Sequence, residues 1–525
     1  MHVFSMSELS NPDLAPTSPA QRTWSTWHIA ALWIGMAVCI PTYTLASGMI
    51  AQGMSWWQAV LTVALGNCIV LIPMILNGHP GAKYGIPFPV LMRASFGTSG
   101  ANIPALARAL VACGWFGIQT WIGGDAIYQV LGACGVLDLV VEKARIVTGM
   151  GITPWQFACF MAFWLVNLHF VWHGIDSIKW MESWAAPFLI VAGLALMVWA
   201  LVKVDSVSAL FEKGSDFTDN AAFWRVFVPQ LTAMVGFWAT LSLNIPDFTR
   251  YAKSQKSQAW GQALGLPTTM TLFCFIGIVV TSATTVIFKQ TISDPVALVA
   301  RLGSLPVLVI SLVALSVATL STNIAANVVS PANDISHLNP RRISFRMGGM
   351  ITAFIGIAMM PWYLYQNLGD YIFTWLIGYS ALLGPIAGIM LCDYYALRRQ
   401  NLHVADLYSD SGRYGRLNGR AVIALVLGIA PNLPGFLNAA THRTSELADI
   451  AATAHANAVA KGMTPAQIVQ AVHDGTLPRP VQPIFPEVFD TLYGYAWFLG
   501  LAVAFAVYYV LMVNQPSVRA DRAAA

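Results

Sequence analysis

Apolar residues run through this chain in twelve stretches, each long enough to cross roughly 30 Å of hydrocarbon as a helix. They lie near 29–50, 57–77, 104–133, 154–173, 184–203, 228–246, 264–287, 305–331, 347–366, 369–396, 421–437 and 489–513. The pattern predicts an all-α polytopic membrane protein of twelve transmembrane helices, numbered 1 to 12 in chain order. Helices 1 and 6, about two hundred residues apart, carry the same Ile-Pro step at their centres: Gly35-Met-Ala-Val-Cys-Ile40-Pro41 and Gly236-Phe-Trp238-Ala-Thr-Leu-Ser-Leu-Asn244-Ile245-Pro246. Proline removes a backbone donor and clashes with the preceding turn, so a membrane helix carrying it frees carbonyls that need another partner. Broken helices at matching positions in two halves of a membrane protein point to a site for a transported solute and its coupling ion. One polar excursion stands out, 438–488, which is expected outside the membrane as a packed accessory loop. Within it 444–460 reads helical, and Thr464-Pro465-Ala-Gln467 reads as a second helix start that Gly475 would close.

Composition agrees with the pattern: 57% of residues are apolar, 10% are charged and 19 are Trp. With the N-terminus inside, 18 of the 28 Lys and Arg fall on cytoplasmic ends and loops, including Lys83, Arg93 and Arg108 between helices 2 and 3 or at the start of helix 3. That asymmetry predicts both termini cytoplasmic. It also accounts for the net charge of +4, leaving no sign of a nucleic-acid partner. The first 25 residues are polar and hold Pro12, Pro16 and Pro19, without the basic start and short apolar core of a removable signal. The seven cysteines lie in or near apolar spans, so buried thiols and no disulfides are expected.

Polar groups inside the membrane are costly unless paired or used. On helix 3, Trp115 and Gln119 are spaced i, i+4 and share a face. Helix 6 adds Trp238 beside its break and Asn244 at it, and helix 8 carries Ser316, Thr319, Ser321, Thr322, Asn323, Asn327, Ser330 and Asn333. Single tryptophans are more often interfacial anchors, and Ser, Thr and Asn often serve helix packing. The combination instead suits a flat, neutral, hydrogen-bonding ligand held between aromatic faces. No Asp, Glu, Lys or Arg lies near the midpoints of helices 1, 6 or 8, which argues against a charged ligand. Asp125, Asp247 and Asp393 sit toward helix ends and read as caps or interface groups. The carbonyls at the helix 1 break, with Ser321 and Thr322, suit Na⁺. Walker A, H-E-x-x-H and G-x-S-x-G patterns are absent, and His169 and His173 have no carboxylate at metal-ligand spacing, so neither an ATP-driven pump nor a membrane enzyme is supported. Broken helices with paired aromatics likewise favour a closed site over a channel.

Four blocks in order resemble the nucleobase-cation-symport-1 transporters: Gly35-Met-Ala-Val-Cys-Ile-Pro-Thr-Tyr-Thr-Leu-Ala-Ser, Trp115-Phe-Gly-Ile-Gln119-Thr-Trp, Gly236-Phe-Trp-Ala-Thr-Leu-Ser-Leu-Asn-Ile-Pro-Asp-Phe-Thr-Arg-Tyr and Ser321-Thr-Asn-Ile-Ala-Ala-Asn327-Val-Val-Ser-Pro. The resemblance runs from about residue 20 to 436 and through the last helix. It implies a LeuT-like fold of two inverted five-helix repeats, 28–203 and 228–396, with helices 1 and 6 broken. Around them would lie a cytoplasmic tail (1–27), helices 11 and 12 (421–513) with the outer loop 438–488, and a second cytoplasmic tail (514–525). By the same resemblance Trp115 and Trp238 would stack on the two faces of the substrate ring, with Gln119 and Asn327 bonding its edges. The sodium ligands would be the carbonyls of Gly35, Val38 and Ala318 and the hydroxyls of Ser321 and Thr322, with H⁺ the alternative ion and no other cofactor. Phe237, beside the stacking Trp, replaces a glycine of the hydantoin carrier and would narrow the pocket. The expectation is a secondary symporter of the plasma membrane that imports allantoin, a hydantoin or uracil by alternating access. A cytosine or purine proton symporter of the same fold is the alternative, and no protein partner is evident.

Overall fold

The computed structural model describes residues 8–518 apart from 144, 148, 174, 213, 291, 293–297, 299–300, 302–304, 365–373, 461, 474–476, 478 and 517. Among the described residues each of the twelve apolar stretches holds helix, and 365–366 of the ninth and 369–373 of the tenth lie outside those residues. Among the described residues the chain forms no β-strand, only an isolated bridge between Trp24 and Ala252. Helix 1 is Thr26–Ala37 followed by Ile40–Ala51, helix 2 Trp56–Tyr84, helix 3 Asn102–Ala133, helix 4 Pro154–His173 and helix 5 Ile175–Lys203. Helix 6 is assembled from Asn220–Phe237, Ala239–Asn244 and Pro246–Thr249, and helix 7 is Gln255–Phe288. Helix 8 joins Leu305–Asn327 to Val329–Leu338, helix 9 includes Phe345–Ala358, and helix 10 is Ile377–Leu391 continued by a wide turn, Cys392–Leu397. Helix 11 combines Gly419–Ile429 and Leu433–Ala440, and helix 12 is Ala496–Met512.

Local chemistry sets the ends of these elements. Ser55 starts helix 2, its backbone N–H bonded to Gln58 Oε1 at 2.9 Å, and Gly85 ends it at φ 76°, a left-handed geometry that favours glycine. Asp219 and Ser254 cap helices 6 and 7 by accepting from Ala222 and Ser257 N–H groups.

The Ile-Pro steps do not mark the breaks themselves. The chain bends by 58° in helix 1 at Val38 (φ −82°, ψ 78°) and extended Cys39, and Pro41 occupies the first turn of the second half. A proline costs nothing there, since that N–H has no intrahelical acceptor. Helix 6 leaves helical geometry at Trp238 (φ −106°, ψ 8°), whereas Ile245 keeps helical angles and Pro246 begins a last turn.

Packing divides the bundle. Helix 7 lies on helices 1 and 2, and helix 2 on helix 6; helix 3 lies on helices 4, 8 and 9. Helix 5 touches helices 1, 7 and 8, and helix 10 packs on helices 11 and 12. Helices 3 and 9 approach so closely that a Cβ on Gly117 would come 2.6 Å from the Gly356 carbonyl oxygen, so glycine is required there.

Several expectations need correction. Arg93, Arg108, Arg250 and Arg398, counted from the sequence on cytoplasmic ends and loops, are not solvent-facing but among the largest fully buried side chains. Cys68 and Cys134 are exposed while the other five thiols are buried and all are free. The N-terminal segment from Leu9 to Trp24 is not a loose tail: Asn11 Nδ2 donates to Ser336 Oγ (2.8 Å), Thr17 N–H to the Gly85 carbonyl (2.9 Å) and Arg93 Nη2 to the Leu9 carbonyl (2.8 Å). Burial lowers the Arg93 guanidinium to about 10, which leaves it charged at neutral pH.

In the 438–488 excursion the helices Ser445–Ala460 and Pro465–His473 form where expected, the second capped by Thr464 N–H on Gln467 Oε1 at 2.8 Å. Gly475, Arg519 and Arg522 lie outside the described residues. A further helix, Glu487–Gly494, turns 83° away from helix 12, so the last apolar stretch is not one straight span.

Candidate functional site

Gly35 and Met36 end the first half of helix 1 with carbonyls that the break deprives of intrahelical donors. Thr322 of helix 8 supplies one: its Oγ1 lies 3.1 Å from the Gly35 oxygen and 3.4 Å from that of Met36. Val38 and Ala318 are buried in one small apolar cluster beside them, and Ser321 is buried on the same helix. The break in helix 1 and the hydroxyl run of helix 8 therefore meet. The donors at hand, carbonyl and hydroxyl oxygens, suit a hard monovalent cation.

Immediately beside this junction is a cavity of about 20 Å³ lined by Trp115, Gln119, Phe237, Trp238, Thr240, Leu241, Thr322, Ala326 and Asn327. All five residues proposed from sequence for the ring lie on its wall. The cavity has room for about one water and not for a ring. Phe237 is the reason: its ring centroid is 5.1 Å from that of Trp115 and 5.0 Å from that of Trp238, edge-on to both at 74° and 82°. Trp238 is backed edge-on by Trp33 at 5.2 Å, and Trp115 is flanked by Trp375 and Tyr379 at 6.5 Å. A larger cavity of about 380 Å³ lies toward the C-terminal end of helix 3 between Trp121, Tyr128, Gln129, Gln156 and Trp362, away from both broken helices.

Two polar atoms on the small cavity's walls have no hydrogen-bond partner among the described residues: the acceptor Gln119 Oε1 and the donor Trp238 Nε1, both buried. A buried polar atom left unpaired costs about 1–3 kcal/mol, so such a pair marks where a ligand's donor and acceptor would go. Asn327 is held differently. Its Nδ2 donates to Asn323 Oδ1 at 3.0 Å, and Asn323 Nδ2 in turn lies within bonding distance of Thr120 Oγ1 (3.1 Å) and Asn167 Oδ1 (3.0 Å). This amide chain fixes the Asn327 rotamer from helices 3 and 4.

Sequence reasoning missed the supporting shell of Trp33, Trp375, Tyr379, Thr120 and Asn167, because each belongs to a helix whose facing partner only the fold decides. Asn244 does not line the cavity. It points deeper, accepting from Arg108 Nε at 2.9 Å and donating to Ser330 Oγ.

Residues 16–454 match the family of permeases for cytosine/purines, uracil, thiamine and allantoin. The chain is 47% identical over 450 residues to the purine-uracil permease NCS1 of Arabidopsis thaliana, covering 84% of this chain and 73% of that one. It is 37% identical over 518 residues to the allantoin permease of Bacillus subtilis, covering 97% and 94%. Among solved structures it is similar, with a TM-score of 0.70 and 24% identity, to Mhp1, a nucleobase-cation-symport-1 family transporter in a closed conformation with bromovinylhydantoin bound; the match covers 98% of this chain and 100% of that one. The fold is therefore the LeuT-like one.

Proposed function

Because the chain belongs to the nucleobase-cation-symport-1 family of permeases, it is a multi-pass secondary transporter, and we propose that it imports a small neutral imide or ureide ring together with a cation. The observation that carries the substrate class is the orphaned pair Gln119 Oε1 and Trp238 Nε1 on the wall of an aromatic, uncharged cavity. An imide or ureide offers a ring N–H to the first and a ring carbonyl to the second, and its flat faces suit Trp115 and Trp238. Allantoin or a hydantoin is the first choice. Uracil, or a purine ring, is the second reading, favoured by the 47% identity to the purine-uracil permease.

Entry of the ring requires Phe237 to leave the space between the two indoles. Na⁺ is the proposed coupling ion, held by the carbonyls of Gly35, Val38 and Ala318 and the hydroxyls of Ser321 and Thr322. It would bring positive charge to the helix 1 break beside the ring, so ring and ion would favour each other's binding. In the proposed cycle the repeats 28–203 and 228–396 supply a moving bundle, helices 1, 2, 6 and 7, and a scaffold, helices 3, 4, 8 and 9. Ring and ion enter from outside and leave to the cytoplasm, where both termini lie, as the two groups rock against each other in the plasma membrane.

The test is uptake of radiolabelled allantoin, hydantoin and uracil into cells expressing the chain, with and without Na⁺ at constant pH. Saturable uptake of one ring that collapses without Na⁺ supports the reading. Uptake indifferent to Na⁺ but abolished by a proton uncoupler moves the coupling to H⁺, and no uptake of any ring sinks the substrate class.

A further inference from the structure

Seven residues inward of Trp115 on helix 3, Arg108 is fully buried, as are Asp247 of helix 6 and Asp334 of helix 8. Arg108 spends two of its nitrogens on neutral acceptors: Nε on Asn244 Oδ1 at 2.9 Å and Nη2 on the Ala326 carbonyl at 3.2 Å. The third, Nη1, makes no hydrogen bond and stands 3.9 Å from Asp334 Oδ2. Neither oxygen of Asp334 has a hydrogen-bond partner among the described residues, nor does either amide atom of the adjacent Asn333. Asp247 has a partner for one of its two oxygens: Oδ1 accepts from the Phe88 N–H at 2.9 Å, and Oδ2 has none among the described residues.

At 3.9 Å Arg108 and Asp334 meet by charge alone, without a hydrogen bond. A buried carboxylate next to a guanidinium draws it into short, paired N–H···O contacts, because the alternative is an unsolvated anion at a cost of several kcal/mol. Here the guanidinium turns to an amide and a peptide carbonyl and leaves both carboxyl oxygens bare. A neutral carboxylic acid tolerates that arrangement far better than an anion does. A metal ion would suit it less, since Arg108 would oppose the charge. Besides Arg108, the charged or titratable groups acting on Asp334 are Asp247 of helix 6 and Cys113 on helix 3; His337, one turn further along helix 8, accepts from Arg93 Nε at 2.8 Å. None of them donates to Asp334.

We infer that Asp334 is a proton-binding site, protonated in this arrangement and released toward the cytoplasm when the inner ends of helices 3, 6 and 8 separate. The link to opening lies in Arg108. On loss of the proton Asp334 becomes an anion 3.9 Å from Nη1, and Arg108 swings to it. That swing breaks the bonds to Asn244 and Ala326, which join helix 3 to helices 6 and 8. The proton moves from the Asp334 carboxyl to cytoplasmic water with no other bond changed. The inference takes from the proposed function only that the protein alternates between two faces of the membrane, and it adds a proton to the Na⁺ proposed at the helix 1 break.

Infrared spectroscopy of the full chain in lipid nanodiscs tests it without any ring. At neutral pH the wild type should show a carboxylic-acid C=O band that shifts in D₂O; Asp334→Asn should remove it and Asp334→Glu should keep one. A band unchanged in Asp334→Asn, or none in the wild type, overturns the assignment whether or not a ring is transported. In proteoliposomes with equal Na⁺ on both sides and holding a pH-sensitive dye, ring uptake by the wild type should acidify the lumen. Asp334→Asn should still exchange labelled for unlabelled ring with the acidification lost; acidification at the wild-type rate in that variant would overturn the proposal.

Discussion

Two layers of the same three helices have opposite chemistry. In the outer one, Trp115 and Gln119 of helix 3, Trp238 of helix 6 and Asn327 of helix 8 enclose a cavity without a charged wall. Six or seven residues inward, about 10 Å along each helix, the same helices present Arg108, Asn244 with Asp247, and Asp334. Both layers are sealed from solvent. The outer layer leaves Gln119 Oε1 and Trp238 Nε1 without a partner among the described residues, while the inner one ties three helices together through a guanidinium.

Substitutions in each layer should therefore fail differently. The largest effect is expected at the outer layer: Trp115→Ala or Trp238→Ala should abolish measurable ring uptake while the protein still elutes as a folded monodisperse species in detergent, and wild-type uptake by either would remove the two-indole seat. Next comes Arg108→Ala, which leaves Asn244 Oδ1 and the Ala326 carbonyl buried without their donor. Each such loss costs about 1–3 kcal/mol, read as a clear fall in melting temperature, whereas an unchanged melting temperature would show that the inner layer does not hold the helices. Gln119→Ala should weaken ring binding about tenfold to a hundredfold, in line with the loss of one or two good hydrogen bonds, with little change in melting temperature. Thr322→Ala should lower apparent Na⁺ affinity about tenfold and ring affinity by the same factor, because coupling between two ligands is reciprocal. A ring affinity that stays independent of Na⁺ in wild type and variant alike would separate the hydroxyl from the ion.

Much of the architecture could be read from the chain before any fold. The 3.6-residue spacing of Trp115 and Gln119, the Thr464-Gln467 cap and the apolar runs are local facts, and the structure repeats them. Even the meeting of helix 1 carbonyls with Thr322 follows from a rule any membrane segment obeys, that freed backbone groups must find a partner. The buried cations could not be read this way. Arg93, Arg108 and Arg250 look in sequence like ordinary positive-inside residues, since a topology count registers only that a cation is near a helix end.

What the sequence by itself determined was the class, the helices and the neutral, aromatic character of the central helices, because hydropathy, proline chemistry and helical periodicity act over a few residues; the five residues on the cavity wall were implied by the family resemblance. What only the tertiary structure decided was which faces meet. It set the break at Val38 and Cys39 rather than at Pro41, put Phe237 between the two indoles and took Asn244 inward to Arg108. It also left Asp334 bare beside a guanidinium bonded elsewhere. These outcomes depend on contacts between residues as many as 226 positions apart, Arg108 and Asp334 among them, and no local pattern encodes a distance of that kind.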